Sequence, residues 1–244
     1  MPDTVRTEPL VHQIWFSDLA EPPERHGRID ALRRLVGPER YRLWTLDAAR
    51  QLLRDELDAD VLRAFDRLRP YAYKADLARY CIVARLGGYY LDLAVSDVVL
   101  VDVASWDFVG FRDLNSAATS WKVATNYFYA PAGSVLMLDA IGQVVANCER
   151  EYYGVDAHYP TGPSVLGRSV AKLGPDLKLL IGEYIWLRRR RNKYLMPGKR
   201  IVGRGKVGGR PNGGVSGVTG GNNYNELWRD RTVYAPPEPG APEA

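Results

Sequence analysis

Residues 71–92 read YAYKADLARYCIVARLGGYYLD, and the fold turns on how this stretch changes period. Leu77, Cys81, Ala84 and Leu86 recur at helical intervals, and Gly87-Gly88 form a C-terminal stop, because glycine enters left-handed backbone without steric cost. Tyr89 to Asp92 must then run as a short strand, so a helix feeds directly into a strand that ends on a carboxylate. Asp76 and Arg79, three apart on that helix, project about 60° from each other and can reach one shared ligand; the same spacing also suits a surface ion pair.

Working outward, the apolar run Leu10 to Phe16, with His12 and Gln13 embedded, reads as a buried strand stopped by Ser17-Asp18 and Pro22-Pro23. Residues 24–36 place Ile29, Leu32, Leu35 and Val36 at helical spacing before Gly37-Pro38 ends them, and Tyr41 to Leu46 is again extended. Asp47 can cap a helix to about Leu57, and a second helix spans about Asp60 to Leu68, closed by Pro70. Extended segments are expected at Val98 to Val103, Phe108 to Arg112 and Asn126 to Ala130, with a helix over 134–150 and another opening at Thr161-Gly162-Pro163. This alternation predicts an α/β domain with a central mixed sheet flanked by helices. One domain spans residues 1–234, with a mobile basic, glycine-rich loop at about 188–221 and a disordered proline-rich tail over 235–244.

The 244 residues, 46% hydrophobic and 25% charged, are long enough for a large core and exclude wholesale disorder. Ten of the 33 basic residues fall in 184–225, which holds no acid, so the remainder is mildly acidic and an anionic partner belongs at that late segment. No stretch approaches the roughly 18–20 apolar residues of a membrane span and no secretory signal opens the chain, so a cytoplasmic location is expected. Two cysteines, Cys81 and Cys148, and three histidines, His12, His26 and His158, support neither a disulfide framework nor a histidine-rich metal site.

Asp92 emerges at a strand's C-terminal end, the edge where open α/β sheets bind ligands. A carboxylate there suits Mg²⁺ or Mn²⁺ bridging diphosphate oxygens, since hard cations take oxygen ligands; it equally suits a turn residue.

The blocks Tyr73-Lys74-Ala75-Asp76-Leu77-Ala78-Arg79-Tyr80 and Leu86-Gly87-Gly88-Tyr89-Tyr90-Leu91-Asp92 resemble the signature of the sugar-nucleotide-dependent glycosyltransferases that contain an Asp-x-Asp motif. Val11-His12-Gln13-Ile14-Trp15 is similar to that family's opening strand, and Thr161-Gly162-Pro163 to its later helix start; the four blocks stand in family order across most of residues 10–170. The resemblance implies a GT-A-type fold and a UDP- or GDP-linked sugar donor. It implies that Asp76 accepts hydrogen bonds from the sugar, Arg79 counters charge near the phosphates, Trp15 stacks on the base, and Lys74 lies near the phosphates or in solvent. Asp92 would be the metal contact for Mn²⁺ or Mg²⁺. Trp228, in Asn222-Asn223-Tyr224-Asn225-Glu226-Leu227-Trp228, is similar to C-terminal segments that close over the donor. Asn126, His158 and Thr161 are candidates on the acceptor side, although Thr161 can also cap the following helix, with Pro163 in its first turn.

One position departs from the pattern. The second acid is replaced by Ala94, which removes an anionic oxygen from the cation site unless water, the donor phosphate or another side chain such as Asp97 completes its shell. The expected activity is transfer of a hexose to a hydroxyl of a glycan or related acceptor, with retention and with the basic loop folding over the diphosphate. The alternatives are a noncatalytic sugar-nucleotide or glycan binder on the same fold and, third, a nucleic-acid binder using the basic loop. Peripheral contact with an inner membrane rests on that loop alone.

Overall fold

The computed structural model describes residues 8–17, 27–114, 119, 121–207 and 222–236. The Pro22-Pro23 stop, the 208–221 part of the glycine-rich segment and the 237–244 part of the tail lie outside the described residues.

Eight strands form one sheet: β1 (Val11–Ile14), β2 (Tyr41–Trp44), β3 (Gly88–Leu91), β4 (Phe108–Asp113), β5 (Tyr127–Ala130), β6 (Leu179–Ile185), β7 (Arg191–Met196) and β8 (Arg200–Val207), in spatial order β2-β1-β3-β5-β4-β6-β7-β8. The helices are α1 (Gly27–Val36), α2 (Leu46–Glu56), α3 (Ala59–Arg67), α4 (Tyr71–Leu86), α5 (Val135–Glu149), α6 (Pro163–Leu173) and α7 (Tyr224–Arg229). The α/β architecture with a mixed, helix-flanked sheet is the one the sequence predicts. Because β1 runs parallel to β2 and β3, β5 antiparallel to β3 and β4, β4 parallel to β6, and β7 antiparallel to β6 and β8, the strands β1, β2, β3, β4, β6 and β8 all end on one edge.

Alternation along the strands divides the core. Tyr90, Phe108 and Phe128 pack on one face with α2 to α6, while Tyr89, Leu91, Val109, Phe111 and Tyr127 pack on the other with Ile29, Leu32 and Val36 of α1. Helix α4 is buried on nearly every side because it lies under α5 and beside α2, α3 and β3. Its apolar residues therefore lie on every side, with Asp76 and Arg79 buried among them, and a helix of that kind shows no clear stripe.

Several expectations are corrected. Thr45, not Asp47, caps α2, its Oγ1 accepting from the Ala48 N–H at 3.3 Å. Residues 191–207, read as loop, are two antiparallel strands: in β7 Asn192, Tyr194 and Met196 turn inward while Arg191 and Lys193 alternate with them on the more open face. Strand β6 was not foreseen. Residues 98–103 form no named strand, although the Val99 N–H donates to the Val202 carbonyl and the Tyr127 hydroxyl to the Val99 carbonyl. Ala235, placed in the free tail, donates its N–H to the Arg67 carbonyl at 2.7 Å beside the buried Val233 and Tyr234. No helix among the described residues is long and apolar enough to cross a membrane.

Candidate active site

Helix α4 presents Asp76 and Arg79 toward the edge at which β3 ends, and the turn after β3 brings Asp92 to the same place. The Arg79 guanidinium stands between the two carboxylates, 3.3 Å from Asp76 Oδ1 and 3.6 Å from Asp92 Oδ1. It also donates to the carbonyls of Ala75 (3.0 Å) and Thr125 (2.7 Å), and lies over the Tyr90 ring at 4.5 Å. The segment before α6 closes the group from the far side: Thr161 donates its hydroxyl to Asp76 Oδ2 at 2.8 Å, and Thr125 donates more weakly to Oδ1 at 3.4 Å. Asp92 accepts the Tyr90 hydroxyl at 2.6 Å, and its backbone N–H donates to the Asn126 carbonyl at 2.9 Å, which ties the tip of β3 to the start of β5.

Burial pushes the Asp76 carboxyl up from its ordinary value, opposed by the Arg79 charge and the Thr161 hydrogen bond. Only 12% of the Asp76 side chain is open, against 34% for Asp92, so Asp92 is the more accessible carboxylate. Arg79, expected near phosphates, spends most of its donors within the protein and acts as the pin that holds the two acids together.

The other candidates separate. Trp15 follows β1 at this edge, but its indole is nearly covered and its Nε1 is buried without a partner among the described residues. Lys74 turns away: its ammonium donates to the Phe65 carbonyl and, at 3.2 Å, to the Asp66 carbonyl at the end of α3, over the Phe65 ring. Burial lowers its pKa to about 8. Trp228 donates Nε1 to the Tyr153 carbonyl at 2.8 Å and packs on the helical layer, away from the hydrogen bonds and ion pairs of Asp76 and Asp92 among the described residues. Thr161 is not the cap of α6, which is Gly162; its buried hydroxyl serves Asp76 instead. Asn126 adjoins Asp92 through its backbone, and its Oδ1 is buried without a partner among the described residues.

His158 does join the site. Its ring lies 6.4 Å from that of Tyr224 on α7, and its Nδ1 is 3.5 Å from Lys122 Nζ. Lys122 is fully buried and pairs with Asp156 at 2.6 Å. Burial opposes ionisation of Asp156, yet hydrogen bonds from Lys122 and the His158 N–H hold its carboxyl below the ordinary value. Burial and the Lys122 charge lower the His158 pKa. Sequence reading missed Thr125, Tyr90, Lys122 and Asp156. Tyr90 had a readable signal, standing two residues before Asp92 on the same strand face; the others meet the site only through long-range packing.

These side chains do not fit a resident divalent ion. Among the described residues no three His, Cys, Asp or Glu side chains group for a metal, Ala94 offers no side-chain oxygen, and Asp97 is held by Arg191 (3.3 Å) and Arg204 (3.4 Å). Asp92 is one carboxylate, already shared with a phenol and a guanidinium, so a hard cation here would draw its other oxygens from water and a bound phosphate.

Over 127 residues the chain is 32% identical to the protein named uncharacterized glycosyltransferase L373 of Acanthamoeba polyphaga mimivirus, covering 51% of this chain and 49% of that one. Half of the chain resembles a glycosyltransferase. It spans about half the length of the curated relative it matches. No family model matches the chain. The solved structure named PaToxG Glycosyltransferase superimposes with a TM-score of 0.48 and 13% identity over 69% of this chain and 71% of that one.

Proposed function

We propose that this chain is a glycosyltransferase of GT-A type that moves a hexose from a UDP- or GDP-linked sugar to a hydroxyl of a glycan or related acceptor, with retention. The observation that carries the reading is the meeting of Asp76, Arg79 and Asp92 at the edge where six of the eight strands end. The similarity to a protein named as a glycosyltransferase supports the class.

On this reading Asp76 accepts hydrogen bonds from the sugar hydroxyls, and Asp92, the more open acid, faces the diphosphate end. Mn²⁺ or Mg²⁺ would arrive with the diphosphate, with Asp92 its one carboxylate contact. Retention by front-face departure requires no protein nucleophile, so the chain's task is positioning and charge balance. Arg79 holds both carboxylates in register. Arg191 and Arg204, on the strands beside the Asp92 turn, add positive potential toward a departing diphosphate.

A thermal-shift panel of UDP, GDP and their sugars, each with and without Mn²⁺, tests the reading. A cognate donor at a hundred times its Kd stabilises the wild type by about 2.7 kcal/mol, and Asp92→Ala loses that response. Stabilisation by no nucleotide sugar, or a response untouched by Asp92→Ala, removes the assignment. Ala94 favours one second reading, a noncatalytic nucleotide-sugar binder; full binding without any donor hydrolysis or transfer would select it.

A further inference from the structure

We infer that the buried Lys122 fixes the tautomer of His158, making that imidazole a hydrogen-bond donor to a ligand oxygen through Nε2–H and excluding it as a base for the incoming hydroxyl. This inference rests on the proposed function for the identity of the ligand, a saccharide, but not for the state of the ring.

The geometry leads there in three steps. An ammonium has protons to give and no lone pair to offer, so where Lys122 Nζ and His158 Nδ1 make a hydrogen bond, at 3.5 Å, the ring nitrogen must be the acceptor. Asp156 Oδ1 lies at the same 3.5 Å from Nδ1 but makes no hydrogen bond with it. Each of its oxygens already accepts one hydrogen bond, Oδ1 from the His158 backbone N–H at 2.9 Å and Oδ2 from Lys122 at 2.6 Å. A neutral imidazole whose Nδ1 is bare carries its proton on Nε2.

That proton points to something outside the protein. Nε2 has no partner among the described residues and is not a buried atom, and 44% of the side chain is open. Among the described residues, the titratable groups facing the ring each have a part. Lys122 from the segment after β4 disfavours the imidazolium, Asp156 from the ring's own loop, Asp113 from β4 and Asp76 from α4 favour it, and the Tyr224 ring of α7 lies beside it, tilted by 45°. His158 is thus a donor near Asp76, an acceptor: between them they can bracket the hydroxyls of one sugar. Lys122 is a positioning residue, acting on the ligand only through the imidazole.

The test begins with the intact wild-type chain, labelled with ¹⁵N-histidine and read by long-range ¹H–¹⁵N correlation at pH 7.5, with His158→Gln assigning its signals among the three histidines. The expected spectrum has Nδ1 as the bare, pyridine-like nitrogen and Nε2 as the protonated one. A protonated Nδ1, or an imidazolium, overturns the inference whether or not the protein transfers sugar. In Lys122→Met the His158 titration should move to higher pH; a fixed titration in the folded variant argues against control by Lys122. With an acceptor in hand, His158→Ala should raise KM for the acceptor severalfold at nearly constant kcat, with His158→Gln restoring it and His158→Glu not. A hundredfold loss of kcat that glutamine fails to rescue would instead identify a base. Absence of any transfer by the wild type would count against the proposed function alone, since the spectrum decides the tautomer without it.

Discussion

Single residues here have roles that their neighbours in sequence do not reveal. His12 is fully buried in β1, with Nε2 against the Gly87 carbonyl at 2.9 Å and Nδ1 facing the Trp44 indole N–H at 3.2 Å, so it joins the stop of α4 to the first two strands. Burial lowers its pKa from 6.5 to about 4. A depressed folded value means the unfolded chain binds the proton first, so this contribution is complete above pH 6.5 and is lost as pH falls toward 4, about 3 kcal/mol in all. Urea midpoints measured from pH 7.5 to 4 should fall across that window; His12→Gln should flatten the fall, and a variant with the wild-type profile would refute the assignment. Asp76 illustrates the other side of residue-scale reading: its position on the helix was legible, but its pairing with Thr161, 85 residues away, was not.

At the scale of elements, two substitutions separate packing from propensity. Lys74 closes the end of α3, where carbonyl groups lack helical partners and a cation also meets the helix dipole. Lys74→Met should cost about 1 kcal/mol in urea unfolding and leave nucleotide stabilisation intact. Weakened nucleotide binding with unchanged stability would return Lys74 to the phosphates. In α6, replacing Gly167 by alanine gains about 1 kcal/mol on helix propensity alone. A Cβ there would stand 2.1 Å from the Trp121 carbonyl oxygen, however, and overpacking against backbone costs about 1–3 kcal/mol or more. Gly167→Ala should therefore lower the unfolding midpoint, and a rise would show that the segment before Lys122 yields freely.

Across the whole molecule, the chain's late return to its first helices helps complete the core. Tyr234 bridges to Leu68, donates its hydroxyl to the Tyr152 carbonyl at 2.6 Å and meets the Tyr153 ring edge-on, while Val233 beside it is fully buried. Tyr234→Ala should cost about 3 kcal/mol of global stability by denaturant titration. A loss confined to local exchange of α3, with the global midpoint unmoved, would show the return to be peripheral. The α/β class, the strand at Tyr89 to Asp92 and the helix bearing Asp76 and Arg79 were all written in periodicity and glycine placement, because those are local properties of backbone and side-chain direction. The β7–β8 strands were hidden because arginine and glycine mask alternation that only the buried Tyr194 and Met196 reveal. Arg79 as a pin, Thr161 on Asp76 and Lys122 behind His158 belonged to tertiary structure alone: each joins residues far apart in sequence, and only packing decides which of them share low-dielectric space.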